Sequence, residues 1–181
     1  DIYKLTLILN NSLTIEYANK VIVGMQFDPM TKLFRKEIFD ELIVRELDLL
    51  RRERDSKFSL VYIDIDDFKN VNDEYGHYSG DKVIEFIGML IKNTIRSSDI
   101  GFRIGGDEFA LILKDASEKS AITVCNKIIA DLNAMEFVFN EQVSFKVELS
   151  FGIVEQTKET LLEKDALIVA VDKKLYESKK K

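Results

Sequence analysis

The stretch FSLVYIDID, Phe58 to Asp66, restricts the fold more than any other part of the chain. It is short, nearly all apolar, and rich in β-branched and aromatic side chains. That pattern predicts a central strand buried on both faces. The strand ends in acids. Alternation puts Asp64 and Asp66 on one side and Ile65 on the other. Carboxylates at the end of a buried strand are costly unless they are hydrogen-bonded or hold a metal.

The flanking segments supply what such a strand needs. RKEIFDELIVRELDLLRRER reads as a helix with Ile38, Leu42 and Leu49 on one face. DKVIEFIGMLIKNTI, SAITVCNKIIADL and the closing DALIVAVDKKLYESKKK read as three more helices. IGFRI and EFALIL are strands joined at a glycine pair, a hairpin signal. VSFKVELSFGIV is a strand pair or one long strand. The order helix, strand, helix, hairpin, helix, strand, helix predicts an α+β domain, with a largely antiparallel sheet covered by helices on one face.

Upstream, Ile8, Ile15 and Ile22 recur at heptad spacing, but Asn11, Ala18 and Met25 between them are mixed. A helical lead-in over residues 1–27 is expected, with the domain proper at 28–181, because Pro29 in FDPMT punctuates the chain there. The chain opens on Asp1 and reads as a piece of a longer protein. A formal charge of −6 argues against nucleic-acid binding. No run approaches the roughly 18 apolar residues of a membrane span. The single cysteine, Cys125, excludes an internal disulfide and fits a small buried thiol in a cytoplasmic domain. An anchor elsewhere in a full-length protein is compatible with that placement.

Two segments carry chemistry. YIDIDDFKNVNDEYGHYSGD, residues 62–81, gathers Asp64, Asp66, Asp67, Asp73, Glu74 and Asp81 around the chain's one histidine, His77. Mg²⁺ takes one or two carboxylates plus substrate phosphates, so Asp64 and one acid from the hairpin tip would suit it. Read alone, the same residues also suit a solvated turn with helix-capping aspartates. In RIGGDEFALIL, Gly105 and Gly106 either supply the positive φ of a tight turn or let phosphates approach the backbone. Asp107 or Glu108 would then reach a cation.

Together these segments resemble the GGDEF domain of the diguanylate cyclase family. The resemblance runs from about Asp28 to Lys179: DPMTKLF resembles the family's opening D-x-L-T-G-L, DIDDFKNVNDEYGHYSGD its metal and nucleotide segment, LSFGI its late strand, and VDKKLYESKK its final helix. It implies a βαββαβ palm core similar to adenylyl cyclases and the condensation of two GTP into cyclic di-GMP. By resemblance, Asp64, the Ile65 carbonyl and Asp107 hold Mg²⁺, or Mn²⁺ in its place. Asp107 also activates the attacking 3′-hydroxyl with help from Glu108. Lys69, the Phe68 N–H and Lys179 meet phosphate. Gly105 and Gly106 let it approach. Asn72 and Asp81 read guanine, Asp81 otherwise being a helix N-cap, and His77 lines the pocket or packs the loop. Arg96 and Asp99, in RSSD, resemble the R-x-x-D site at which product inhibits. Catalysis implies a homodimer, since each nucleotide attacks the other. A catalytically weak member that binds GTP or cyclic di-GMP as a regulatory module is the alternative. Lys32 stands where the opening motif has glycine, and Arg35 where it has asparagine. The chain stops at Lys181, before the Gly-Arg-Asn with which the family often continues.

Overall fold

The computed structural model describes residues 26–53, 56–140 and 143–180. In it the apolar run forms β2 (Phe58–Ile65), and every residue of that strand is buried. Alternation sorts its side chains to two faces. Val61, Ile63 and Ile65 join one core, while Phe58, Leu60 and Tyr62 join another. The helices therefore cover both faces of the sheet, not one as the element order alone suggested. A strand apolar on each side has to be covered on each side.

On the first face pack α2 (Phe68–Thr94) and α3 (Glu118–Asn133), through Val83, Ile84, Ile87, Ile91, Cys125 and Ile128. Cys125 is buried there, and burial pushes its thiol up to about 12. The second face is covered by α1 (Lys36–Arg52) and α4 (Lys164–Ser178). The buried stripe of α1 runs through Phe39, Ile43, Leu47 and Leu50, with Ile38 and Leu42 at its edge. That stripe is rotated from the Ile38–Leu42–Leu49 face expected, because the i, i+4 series from Phe39 carries the larger apolar surface.

The hairpin forms as β3 (Ile100–Arg103) and β4 (Glu108–Lys114). The long late segment splits. β6 (Val143–Phe145) pairs with β5 (Phe137–Asn140) in a small sheet of their own, and β7 (Leu149–Gln156) joins the main one. With the short β1 (Phe34–Arg35), the main sheet has the order β1-β3-β4-β2-β7. Its pairings are antiparallel except β1 with β3. The path β2-α2-β3-β4-α3-β7 is the expected βαββαβ core. The expected lead-in over 1–27 lies, but for Gln26 and Phe27, outside the described residues. Among those described, no helix is long and apolar enough to cross a membrane.

Among the described residues three that are not glycine, Lys32, Asp67 and Asp115, sit in the left-handed region, and the first two bear on the site. Asp67, at φ 52°, swings the chain from β2 into α2, a conformation that aspartate tolerates better than most side chains. Lys32 sits at φ 58°, where the family motif has glycine, at a cost of about 1 kcal/mol. Its ammonium closes onto the Pro29 carbonyl at 2.6 Å.

Candidate active site

Register builds the centre of the site. β2 and β4 pair so that Asp64 lies directly across from Glu108, and β2 and β7 pair so that Ser150 lies on its other side. By alternation Asp64 shares the face of Leu60 and Tyr62, the face that α4 covers. The end of α4 brings Lys179, whose Nζ reaches Asp64 Oδ1 at 2.6 Å. One step further, the Ile65 amide donates to the Asp107 carbonyl at 3.3 Å, joining the strand end to the hairpin tip. Asp66 is held by its neighbour strand: its amide donates to the Glu148 carbonyl, and Ser150 Oγ donates to its carboxylate at 3.1 Å.

Crowding the acids together has an electrostatic signature. Burial raises the Asp64 carboxyl above its ordinary range, and Asp107 and Asp66 add to the rise while Lys179 opposes it. Glu108 is raised for the same reasons, burial first and then the charges of Asp64 and Asp107. Lys179 answers from the other side. Burial would lower it, but its hydrogen bond to Asp64 and the charges of Asp64, Asp66 and Asp107 together hold it above the usual lysine value.

The glycine pair does its work differently from a positive-φ turn, since neither glycine lies in the left-handed region. At Gly105 a Cβ would stand 2.2 Å from Glu108 Oε2, so this glycine clears space for the carboxylate. At Gly106 a Cβ would meet nothing within 4 Å. The tip is braced by Arg103, a residue the sequence did not single out. Its Nη2 donates to the Gly106 carbonyl at 2.8 Å, and its Nη1 pairs with Asp28 at 3.3 Å. Asp28 also accepts from the amide and hydroxyl of Thr31, both at 2.8 Å. Burial tends to raise the Asp28 carboxyl, but the two Thr31 bonds and Arg103 outweigh it and leave it below its ordinary value. DPMT is thus a turn locked onto the hairpin. Only the i, i+3 spacing of Asp28 and Thr31 hinted at half of this.

The acid-rich loop of residues 68–75 is helical. α2 starts at Phe68 and breaks at Gly76, where φ is 80° and ψ 157°. No side chain caps its start, and no acceptor among the described residues takes the Phe68 and Lys69 amides. Such a start suits an anion. Asp81 lies five residues past the break, inside the helix and exposed, so it is not an N-cap. Asn72 is half-buried against Gly80, where a Cβ would stand 2.1 Å from Asn72 Oδ1. Gly80 was missed, though it adjoins Asp81 in the motif. Lys69 and His77 are exposed, and among the described residues no ion pair links Lys69 to the carboxylate cluster.

Arg96 and Asp99 lie at the other end of the hairpin. Asp99 accepts from the Arg96 amide at 3.0 Å and from the Lys114 amide at 3.1 Å, pinning the loop to the far end of β4. Among the described residues Asp99 makes no ion pair with the Arg96 guanidinium. A cavity of about 550 Å³ opens beside it, lined by Arg96, Asp99, Lys92, Lys32 and Phe27 among others.

Comparison with known proteins follows the geometry. Residues 25–181 match the family model for "Diguanylate cyclase, GGDEF domain". The chain belongs to the GGDEF family. This GGDEF domain is 32% identical over 173 residues to diguanylate cyclase A of Treponema denticola, covering 94% of this chain and 44% of that protein. It is 31% identical over 173 residues to diguanylate cyclase DgcS of Shewanella oneidensis, covering 96% of this chain and 56% of that one. The GGDEF domain thus spans about half the length of these relatives. The coiled coil and GGDEF domain of DgcB from Caulobacter crescentus, solved with c-di-GMP, superposes with a TM-score of 0.85 at 23% identity, over 97% of this chain and 94% of that chain. The isolated GGDEF domain of YfiN (TpbB) from Pseudomonas aeruginosa does so with 0.73 at 29% identity, over 85% and 88%.

Proposed function

We propose that this domain is a diguanylate cyclase, condensing two GTP into cyclic di-GMP with release of two pyrophosphates. The observation that carries the reading is the register of β2 against β4, which pairs Asp64 with Glu108, while the Ile65 amide on the Asp107 carbonyl ties the strand end to the hairpin tip. A divalent ion fits there. The donors are all oxygen, and the Lys179 ammonium already seats on Asp64 as a cation would. Among the described residues no three acidic, imidazole or thiolate side chains gather closely enough to hold an ion by themselves. Mg²⁺ suits that arrangement, since it takes one or two carboxylates and completes its shell with water and phosphate.

Asp64, the Ile65 carbonyl and Asp107 would hold the ion, which when bound neutralises phosphate charge and favours the ionised attacking oxygen. The chain's own groups do the rest. Asp107, assisted by Glu108, accepts the proton of the 3′-hydroxyl. The uncapped start of α2 offers the Phe68 N–H to a phosphate oxygen, Lys69 and Lys179 add positive charge, and Gly105 and Gly106 keep side chains out of its path. Asn72 and Asp81 meet the guanine edge, where N1–H and the N2 amine donate side by side, and His77 borders that pocket. Each domain holds one GTP, so two must face each other. Product inhibition at Arg96 and Asp99 accords with a guanidinium that lines a cavity and does not pair with Asp99.

The test is direct. The domain, dimerised by a fused coiled coil, is supplied with GTP and Mg²⁺, and cyclic di-GMP and pyrophosphate are measured. Both should form, and Asp64→Asn or Asp107→Asn should abolish them while the protein stays folded. GTP binding without product would mark a regulatory module instead.

A further inference from the structure

The contact between Lys179 and Asp64 has a role beyond phosphate binding, one that rests on the metal reading above. Among the described residues the Lys179 ammonium is the only hydrogen-bond donor that reaches the Asp64 carboxylate, at 2.6 Å. The Asp64 side chain is 12% exposed, so without that partner its charge would be largely stranded. Lys179 is 38% exposed, so its side chain has solvent to move into. The backbone that carries it is fixed. Ser178 Oγ accepts from the Phe151 amide at 3.2 Å and donates to the Leu175 carbonyl at 2.9 Å. Gly152 lets α4 lie so close that a Cβ there would meet the Val171 carbonyl at 2.2 Å.

We infer that Lys179 is a built-in placeholder for the metal, occupying Asp64 in the ion-free domain and yielding it when a divalent cation enters. An ammonium and a divalent ion on the same carboxylate repel each other strongly, even on different oxygens, and its single negative charge cannot neutralise both. Metal entry therefore ejects the ammonium, and because α4 is pinned, only the side chain swings. Entry of the ion and availability of Lys179 for the nucleotide's phosphates become one event. An ion-free domain presents a neutralised Asp64 and withholds Lys179 from phosphate, leaving Lys69 alone to meet it, so it holds nucleotide more weakly.

Metal binding to the nucleotide-free domain tests this without reference to turnover. Mn²⁺ affinity is read by electron paramagnetic resonance for the wild type, Lys179→Gln and Lys179→Arg, and each thermal midpoint is measured with and without Mg²⁺. Removing the competitor should tighten Mn²⁺ binding about fivefold, the factor a half-exposed ion pair can supply. The Mg²⁺-induced rise in midpoint should be larger in Lys179→Gln, and Lys179→Arg, which keeps a cation, should stay near wild type. Asp64→Asn should abolish binding. Equal or weaker affinity in Lys179→Gln, with binding still lost in Asp64→Asn, overturns the placeholder role and leaves the metal site standing. Mn²⁺ binding that survives Asp64→Asn, or no binding in any form, overturns both.

Discussion

Glu108 and Asp64 face each other across two strands with like charge, an arrangement that costs a sheet stability. Glu108→Gln should therefore raise the thermal stability of the ion-free domain at neutral pH, by about 0.2–1 kcal/mol, while removing activity. The sign with pH follows from the raised carboxyls. Both groups sit above their unfolded values, so their favourable contribution is full below the unfolded range and is lost as pH rises through the folded values. Denaturation of wild type and variant across pH 4 to 8 checks it, and the gap between them should open as pH rises. Asp81, exposed within α2, is free to meet a base. Asp81→Ser should weaken preference for GTP over ATP, since adenine's N1 acceptor would no longer oppose a carboxylate. Competition binding with both nucleotides reads this. An unchanged ratio removes Asp81 from base reading. Legibility at this scale followed locality. Strand alternation placed Asp64, and the hairpin placed Asp107 and Glu108. Arg103 escaped notice because its meaning depends on Asp28, which only tertiary docking brings within reach. Gly105 was left with two readings, for a sequence does not say whether a glycine serves its dihedral or its missing side chain, and only the first is excluded by its backbone.

Among the elements, α4 shows how packing tunes chemistry. Gly152 in β7 lets the helix backbone lie on the strand, with Leu175 N 2.6 Å from where a Cβ would be. Gly152→Ala should push α4 outward and cost about 1–3 kcal/mol as an overpacked contact. It should also draw Lys179 from Asp64, so chemical denaturation and the pH dependence of stability should change together. A stability loss with no change in pH dependence would separate the helix position from the ion pair. Helix and strand order came out of the sequence because apolar periodicity is strong in FSLVYIDID and EFALIL. The first turns of α2 did not, since its Asp and Asn residues favour turns and hide the period that Phe68, Val71 and Tyr75 carry. Whether VSFKVELSFGIV was one strand or two stayed open, since only backbone pairing sends β6 to β5 and β7 to the main sheet.

For the whole molecule, the two ends of the β3–β4 hairpin carry different groups. The tip holds the acids, and the far end, about 20 Å away along β4, holds Arg96 and the loop that Asp99 pins. Arg96→Ala should leave basal synthesis of cyclic di-GMP nearly intact and remove most product inhibition. Calorimetric titration with cyclic di-GMP decides it, and equal binding by wild type and variant would defeat the reading. Asp99 is the poorer probe, because losing its two backbone bonds would loosen the loop itself. The sheet order has a consequence for how the domain is made. β2 finds β4 some fifty residues downstream, but its other neighbour, β7, and the lysine that meets Asp64 come from segments synthesised later still. A nascent chain leaving the ribosome can close the hairpin against β2 while Ser150 and Lys179 are still in the exit tunnel. Its carboxylates then wait uncompensated until the segments that carry β7 and α4 have emerged.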